Sequence, residues 1–208
     1  KIMKNCVREV LEVKEELHIP GGAANVACNI ASLGAAAYLF GLCGEDIACK
    51  TLKKELKKRG ISTDTLFIDN DRITTEKCRI VSSSPYQQIV RHDREAKKEM
   101  PRSLQEIMLS SIKTKLEENA IGSILLIDYA KGFFSYELAQ EIINIARKQN
   151  ITTIVDPKPQ NISYFKHCSV IRPNRKETED ITRINYDGMA STLEKMAKKL
   201  ANTTGSPY

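Results

Sequence analysis

The first pattern along the chain is an alternation of hydrophobic and polar residues over positions 10–19. Leu11, Val13, Leu17 and Ile19 occupy odd positions, with charged residues between them. A period of two residues places successive side chains on opposite faces of an extended chain. The alternation therefore predicts a half-exposed strand.

Longer segments carry hydrophobic residues every three or four positions, which predicts amphipathic helices. In the first of them, Val26, Ile30 and Leu33 share one face, and Gly34 is placed to end the helix. Ser135 is placed to cap a later helix at its N-terminus. The predicted helices cover residues 23–34, 45–60, 103–119, 135–150 and 192–205.

Short, mostly apolar runs between these helices predict buried strands. They lie within residues 35–42, 123–128, 151–158 and 167–174. Strands that alternate with helices of this length indicate a parallel sheet with helices on both faces. The predicted fold class is therefore α/β.

Residues 74–95 interrupt the alternation with two predicted strands around a polar Ser-Ser-Ser-Pro-Tyr turn. Their mixed polarity suits a small, half-exposed sheet better than the core. We therefore predict an α/β core formed by residues 20–73 and 96–208, incomplete at both ends. Residues 1–19 and 74–95 are predicted to form a separate β lid.

The composition is that of a folded protein with a modest positive charge. Of the 208 residues 41% are hydrophobic, which is enough to bury a core and too many for a disordered chain. No apolar run approaches the length of about 20 residues that a membrane helix needs, so no membrane partner is expected. Lysine and arginine exceed aspartate and glutamate by 32 to 26, a net charge of +6. The basic run at 53–59 fits a solvated helix face, and without zinc-finger spacing or a basic tail we expect no nucleic-acid partner.

Cysteines stand at positions 6, 28, 43, 49, 78 and 168, and no two form a Cys-x-x-Cys pair. A structural zinc site is therefore not expected. Cys28, Cys43 and Cys168 lie in apolar segments and are predicted to be reduced thiols in the core. This usage fits a reducing compartment, so we expect a cytoplasmic protein.

Polar groups follow three successive predicted strands, at the position where ligands bind in open α/β sheets. The groups are Asp128 and Lys131, then Asp156 and Lys158, then Asn174, Arg175, Lys176 and Glu177. Polar residues are common in loops, so any one group is equally consistent with a structural turn. Three in a row, two of them with an Asp–Lys pair, predict a site for a phosphate or a metal ion.

A glycine pair before the first predicted helix is a further candidate. Gly21 and Gly22 let a ligand approach the backbone, and Asn25 follows one turn into the helix. A glycine turn that merely begins the helix explains the pair equally well. The chain has neither Gly-x-x-x-x-Gly-Lys nor Gly-x-Gly-x-x-Gly, which argues against a P-loop NTPase and a dinucleotide dehydrogenase.

The block PGGAANVACNIASLGA at 20–35 resembles the first signature of the ribokinase-like (PfkB) sugar-kinase family. Within that family the chain is similar to the heptose-7-phosphate kinase domain of the bacterial ADP-heptose pathway. The Lys-x-Arg and Gln-Gln-x-x-Arg-x-Asp pattern of residues 75–95 resembles the lid of that subfamily. IDYAKG at 127–132, VDPK at 155–158 and RPNRKE at 172–177 follow in the subfamily's order.

This resemblance implies an ATP- and Mg²⁺-dependent transfer of phosphate to O1 of D-glycero-β-D-manno-heptose 7-phosphate, which gives the 1,7-bisphosphate. The pathway supplies ADP-heptose for the inner core of lipopolysaccharide. The resemblance also implies a β lid that closes on the sugar and pairs two subunits, so a homodimer is expected.

The resemblance further suggests roles for individual residues. Those expected to bind the substrate are Gly21, Gly22, Asn25, Lys77, Arg79, Gln88, Arg91, Asp93, Asp128 and Lys131. Those expected to line the ATP site are Asp156, Lys158, Asn174, Arg175, Lys176 and Glu177. Glu177 is expected to order Mg²⁺ through water. Lys77 and Arg79 share a strand face, which suits a phosphate already on the sugar, although ordinary strand charge explains them as well.

The chain departs from the family's pattern at both ends. It stops at Thr-Thr-Gly-Ser-Pro-Tyr before any Gly-Ala-Gly-Asp loop, whose aspartate takes the proton of the attacking hydroxyl in the family. The family's first strand, with its sugar-binding aspartate, is missing, and residues 3–9 stand in place of a proline-rich run. We therefore expect a kinase interior with no turnover by itself. The alternatives are another PfkB kinase of the ribokinase or fructokinase type, and a non-catalytic sugar-binding or dimerisation fragment.

Overall fold

The computed structural model describes residues 12–207, in which helices alternate with short strands. The helices are α1 (Gly22–Ser32), α2 (Ile47–Lys58), α3 (Arg102–Glu118), α4 (Tyr136–Lys148), α5 (Arg175–Thr182) and α6 (Ala190–Thr204). The strands are β1 (Gly41–Cys43), β2 (Leu66–Ile68), β3 (Glu76–Ser83), β4 (Tyr86–Arg94), β5 (Ser123–Ile127), β6 (Thr152–Asp156) and β7 (Val170–Ile171). A 3₁₀ helix spans Pro159–Phe165. The predicted α/β class is confirmed.

Two parallel sheets carry the loops of interest. β1 pairs with β2, and β5, β6 and β7 pair in that order, with Ile127 opposite Asp156 and Val155 opposite Ile171. Because parallel strands end at the same edge of a sheet, the loops after β5, β6 and β7 emerge side by side.

The main core lies where α4 and α3 pack against the β5–β6–β7 sheet. Ile142, Ile143, Met108 and Val155 are buried there, and the ring of Phe165 from the 3₁₀ helix closes one side. Burial of each of these side chains contributes about 1.5–3 kcal/mol. This packing fixes the strand ends from which the loops start.

A second, smaller core joins α1 and α2 to β1 and β2. Ala24 and Ala27 of α1 pack with Leu39, Leu56 and Leu66. The small alanine side chains let the backbone of α1 approach the sheet closely. The N-terminus of α1 is thereby held beside the ends of the strands.

The predicted strand over 10–19 is wrong for residues 12–19, which pair with no other strand of the described part of the chain. The first two positions of that range lie outside the described residues. Val13, Leu17 and Ile19 are 72–79% exposed. Alternating polarity shows which side chains of a strand would be buried and which exposed. A strand nevertheless forms only where a neighbouring strand makes hydrogen bonds with its backbone N–H and C=O groups. These residues instead border a cleft of about 2680 Å³ that the edges of β1 and β5 also line.

The two predicted strands of 74–95 are present as β3 and β4, which form an antiparallel hairpin. We call these two strands the hairpin. It pairs with neither parallel sheet among the described residues. The division of the chain into a core and a lid remains a prediction.

Other elements were shorter than expected or were missed. The predicted strand at 35–42 begins only at Gly41, and β2 has three residues, too few to produce a periodicity. Neither the 3₁₀ helix nor the full extent of α5 followed from the hydrophobic pattern. Among the helices of residues 12–207, none has the length and apolar character of a membrane span.

One cysteine differs from expectation. Cys43 is joined to Cys49 in a disulfide, because the tight connection from β1 to α2 brings their Cα atoms to 5.9 Å. Cys28 and Cys168 are free, and Cys168 is buried, as predicted for reduced thiols.

Candidate active site

The glycine pair begins α1 directly beside the loop that follows β5. Gly22 has a φ of +56°, a left-handed conformation that glycine adopts without strain. A Cβ added to Gly22 would lie 3.3 Å from Cε2 of Tyr129. Gly21 has open space around it, and Asn25 is exposed, with no side-chain hydrogen bond in the described part of the chain. The N-terminus of α1 therefore offers a backbone surface and a free amide next to the β5 loop (residues 128–132).

Asp128 organises this loop from within. Its carboxylate is buried, and Oδ1 accepts a hydrogen bond from the backbone N–H of Ala130 at 2.7 Å. Oδ2 accepts another from Nδ2 of Asn161 at 2.9 Å. Ala130 has a φ of +52°, so these bonds hold a strained turn in place. Asp128 thus has a structural role in the turn, and its contact with a sugar remains a prediction.

Lys131, at the end of the β5 loop, is tied to the hairpin through Glu95. Glu95 Oε2 contacts Lys131 Nζ, and its Oε1 lies 2.6 Å from Lys77 Nζ of β3. Lys77 also lies 2.8 Å from Oδ2 of Asp93. The hydrogen bonds from Lys131 and Lys77 lower the pKa of Glu95 to about 2. Glu95 was not among the predicted site residues, although it joins two of the predicted substrate residues.

The predicted cations of the hairpin share one face. Lys77 lies opposite Asp93, and Arg79 lies directly opposite Arg91. Gln88, beyond a bulge, lies opposite Val81 on the same face. Arg91 Nε is 3.0 Å from Oδ1 of Asp93, whereas Arg79 has no acidic partner among the described residues. Two like charges directly opposite each other repel, and an anion between them relieves the repulsion.

A second polar group forms at the ends of β6 and β7. Lys158 Nζ lies 2.5 Å from Oε1 of Glu177, which is buried. Glu177 Oε2 accepts from the N–H of Asn174 at 2.9 Å, and Asn174 Oδ1 accepts from the N–H of Glu177 at 3.0 Å. This reciprocal pair is a capping box, which begins α5. The spacing of Asn174 and Glu177 thus has a local structural cause.

Burial and neighbouring charges shift the pKa values in this group. Burial raises the pKa of Asp156, and the nearby carboxylate of Glu177 raises it further. The hydrogen bond to Glu177 raises the pKa of Lys158. Burial alone would raise the pKa of Glu177, but the bonds from Lys158 and from the Asn174 amide bring it below its usual value. The ion pair of Lys158 and Glu177 is therefore favoured in its charged form.

Lys158 also connects the two polar groups. Its ammonium lies 5.7 Å from the centre of the Tyr129 ring, the same ring that faces Gly22. Tyr129 was not among the predicted site residues, although it lies within the IDYAKG block. The loops after β5 and β6 and the start of α1 thus converge on one region.

The other two cations predicted to bind ATP, Arg175 and Lys176, differ in whether an acidic side chain already pairs with them. Arg175 Nε lies 3.1 Å from Glu179 of its own helix, and its guanidinium lies 5.1 Å from the ring centre of Tyr186. Lys176 is exposed and has no acidic partner within residues 12–207. Of the two, Lys176 is the cation still available to a ligand.

Acidic side chains here suit a magnesium ion held mostly by a nucleotide. In the described part of the chain, no three Asp, Glu, His or Cys side chains converge as metal ligands. Magnesium bound through phosphates keeps several waters and needs only one or two carboxylates. Glu177 and Asp156, both beside Lys158, fit that requirement, whereas they do not fit a metal cage made by protein alone.

Residues 3–206 match the pfkB family of carbohydrate kinases. The chain belongs to this family. The match covers nearly all of the 208 residues and confirms the resemblance that the sequence motifs indicated.

Curated relatives agree with this assignment. The bifunctional protein HldE of Helicobacter pylori strain J99 is 41% identical over 194 residues, which cover 93% of this chain and 41% of that protein. The bifunctional protein HldE of Aliarcobacter butzleri strain RM4018 is 34% identical over 177 residues, 85% of this chain and 36% of that protein. The chain thus spans well under half the length of these relatives.

Solved structures share the fold. The tetrameric inhibited form of phosphofructokinase-2 from Escherichia coli superposes with a TM-score of 0.74 at 18% identity, covering 98% of this chain and 65% of that one. Arabidopsis thaliana ribokinase, complexed with ribose and ATP, gives a TM-score of 0.65 at 16% identity, covering 94% and 61%. At these identities the comparison establishes the ribokinase-like fold alone.

Proposed function

We propose that this protein transfers the γ-phosphoryl group of ATP to O1 of D-glycero-β-D-manno-heptose 7-phosphate and releases ADP. The observation that carries the proposal is the hairpin face on which Arg79 lies opposite Arg91. Asp93 offsets only the charge of Arg91, so a phosphate already on the sugar would bind Arg79 and relieve the remaining repulsion, whereas an unphosphorylated sugar offers no such anion. The similarity to the HldE proteins and the five sequence blocks support the same substrate.

The hairpin cations and Lys131 contribute unequally to binding of the sugar's phosphate in this proposal. Lys77 and Lys131 are already neutralised by Glu95 and Asp93, so they orient the hairpin more than they attract an anion. Arg79 retains its full charge, and guanidinium groups bind phosphate through paired hydrogen bonds. Arg79 is therefore the principal phosphate-binding residue, and Arg91 is the second. Gln88, on the same face, is left to bind sugar hydroxyls.

The sugar ring lies between the start of α1 and the β5 loop in this proposal. Gly21 offers an open backbone surface, and the amide of Asn25 is available to hydroxyl groups. Backbone N–H groups at the beginning of a helix also favour an anionic or strongly polar ligand. Tyr129 bounds the same space from the other side.

ATP is bound along the ends of β6 and β7. Lys158 and Lys176 supply positive charge to its phosphates, and Asn174 and Glu177 hold the start of α5 in position. Mg²⁺ bound with the nucleotide would neutralise charge that develops on the phosphates during transfer. Glu177 and Asp156 would hold it through its waters.

Proton transfer from O1 needs a base. The resemblance assigns it to the aspartate of a Gly-Ala-Gly-Asp loop, and residues 1–208 contain no such sequence. Loss of a general base costs about 10²–10⁴-fold in rate. We therefore expect no measurable turnover from these 208 residues by themselves.

The proposal also includes the location and assembly of the protein. We propose a cytoplasmic homodimer whose two subunits pair through the β lid.

The test is a substrate screen with the full-length protein, ATP and Mg²⁺. We expect ADP formation with heptose 7-phosphate to exceed that with free heptose, fructose 6-phosphate, fructose and ribose, and ³¹P NMR to detect a new phosphate at C1. A preference for ribose or fructose would instead assign a kinase of the ribokinase or fructokinase type. If no sugar supports ADP formation while calorimetry detects heptose 7-phosphate binding, the protein is a sugar-binding module.

A further inference from the structure

Arg72 is a buried cation that contacts three separate segments of the chain. Its side chain is 6% exposed, just before the hairpin begins. Nη1 donates to the backbone carbonyl of Lys131 at 3.0 Å, and Nη2 donates to the carbonyl of Lys98. Nε faces Oδ2 of Asp69, at the end of β2, at 3.5 Å. One guanidinium therefore links β2, the segment that leaves the hairpin and the β5 loop.

The segment that enters the hairpin is fastened close to Arg72. Thr74 donates its backbone N–H to Oδ2 of Asp46 at 2.7 Å, and its hydroxyl accepts from the N–H of Gly44 at 2.9 Å. A Cβ added to Gly44 would lie 2.1 Å from the carbonyl oxygen of Arg72. Only a glycine permits this approach, so the backbones of Gly44 and Arg72 lie in direct contact.

The segment that leaves the hairpin is fastened in the same way. Met100 donates its N–H to the carbonyl of Gly132 at 2.8 Å. Gly132 has a φ of +77°, and an added Cβ would lie 2.1 Å from the carbonyl oxygen of Lys98. Both ends of the hairpin thus rest on close backbone contacts, and Arg72 bridges them.

The chemistry of arginine suits this position. Its planar fork donates in fixed directions to two carbonyl groups at once, while its charge faces Asp69. A lysine keeps the charge but donates from a single atom, so it cannot hold both carbonyls in the same geometry. Burying a charged pair costs desolvation free energy. Stabilisation of the fold is therefore a poor explanation for the buried pair of Arg72 and Asp69.

We propose that Arg72 is a positioning residue that fixes the β5 loop to the base of the hairpin and so sets the position of Lys131 relative to the hairpin and its phosphate-binding face. The inference rests on the proposed function and adds a residue that no sequence motif singled out. The hairpin region is then linked to Lys131 by two contacts: the backbone bond from Arg72 and the side-chain contact with Glu95.

The informative variant is Arg72→Lys in the full-length protein, with Arg102→Gln as the matched loss of an arginine. The Arg102 side chain is 92% exposed, and among residues 12–207 it pairs only with Glu106 of its own helix. We expect Arg72→Lys to lower kcat/KM for heptose 7-phosphate about tenfold, because one charge-assisted hydrogen bond is lost. The KM for ATP should stay near wild type, and the melting temperature should fall by only about 2–4 °C, since the charge opposite Asp69 remains. Arg102→Gln should change none of these values.

Hydrogen exchange without substrate provides a readout that does not depend on the sugar. In Arg72→Lys the amides of Met100 and Ala130 should exchange faster, while those of β5 and β6 keep their protection. This result supports the positioning role even if the wild-type protein fails to phosphorylate heptose 7-phosphate, an outcome that overturns only the proposed function. Wild-type exchange at Met100 and Ala130 in Arg72→Lys overturns the inference. The inference is also overturned if amide protection falls uniformly along the chain and kcat/KM falls equally for the sugar and for ATP. Arg72 would then support the fold as a whole.

Discussion

At the scale of single residues, Glu95 is held by two lysines from different parts of the chain. Hydrogen bonds from Lys131 and Lys77 lower its pKa from the usual 4.5 to about 2. A carboxylate with a lowered pKa in the folded state stabilises that state fully above its unfolded pKa and loses this effect as the pH falls through its folded pKa. We therefore expect the contact between the hairpin and the β5 loop to weaken only between about pH 4.5 and pH 2.

An NMR titration of the Glu95 carboxyl carbon measures this directly. We expect a midpoint near pH 2, moving toward 4.5 in Lys131→Ala, because Lys131 makes the larger contribution. A wild-type midpoint near 4.5 would mean that the two lysines do not hold Glu95 in solution.

Gly21 and Gly22 form a matched pair for testing backbone strain. Gly22→Ala forces a side chain into the left-handed region against Tyr129, and we expect it to lower the free energy of unfolding by about 1–2 kcal/mol. Gly21 has a φ of −109° and open space around it, so Gly21→Ala should change stability by less than about 0.5 kcal/mol. Urea denaturation compares the two. Equal effects would contradict the described start of α1.

Asn25 tests the sugar side of the site. Asn25→Ala in the full-length protein should weaken binding of heptose 7-phosphate by about 1–3 kcal/mol, because buried hydroxyls lose a partner. The KM for ATP should barely change. Asn29, exposed one turn further along α1, provides the control through Asn29→Ala. The assignment of Asn25 is wrong if both variants bind the sugar alike.

Sequence patterns identified individual residues where their cause was local. Ser135 caps α4 through a bond to the N–H of Leu138, as its position predicted. Glu95, Arg72 and Tyr129 were missed because their contacts span loops distant in sequence. Only the folded sheet brings such residues together, so no periodicity or spacing reports them.

At the scale of elements, α5 combines a structural and a candidate functional role. Asn174→Ala removes the side-chain oxygen that caps the helix and should cost about 0.5–2 kcal/mol of stability. Asn174→Ser keeps a capping oxygen and should restore most of this loss. If Asn174 also contacts ATP, Asn174→Ser should still raise the KM for ATP. Thermal unfolding with ATP kinetics separates the two roles, and wild-type kinetics in Asn174→Ser would leave Asn174 a cap only.

Elements with strong periodicity could be predicted, and elements defined by their partners could not. Helices α2, α3 and α4 bury regular stripes, and the hairpin shows two strands with a polar turn. Residues 12–19 alternate equally well but find no neighbour in the described chain, while β2 forms from three residues beside β1. Hydrogen-bond partners, which the hydrophobic pattern does not contain, decide both cases.

At the scale of the whole molecule, the site depends on the relation between the hairpin and the parallel sheets. The core carries the candidate ATP and sugar groups at the ends of β5, β6 and β7, and the hairpin carries the arginines proposed to bind the phosphate of the sugar. Arg72 and Glu95 join these two parts. Specificity for a phosphorylated sugar is therefore expected to reside in the hairpin, and transfer from ATP in the core.

The most direct test of this account compares kcat/KM for heptose 7-phosphate with that for free heptose in the full-length protein and in Arg79→Ala. Arg102→Ala is the control, since Arg102 is an exposed cation on α3, outside the hairpin. A charge-assisted hydrogen bond contributes about 1.5–3 kcal/mol, so Arg79→Ala should lower the value for heptose 7-phosphate about 10–150-fold. It should leave the value for free heptose almost unchanged, and Arg102→Ala should alter neither. Equal losses for both sugars in Arg79→Ala, or no loss for heptose 7-phosphate, would contradict the account.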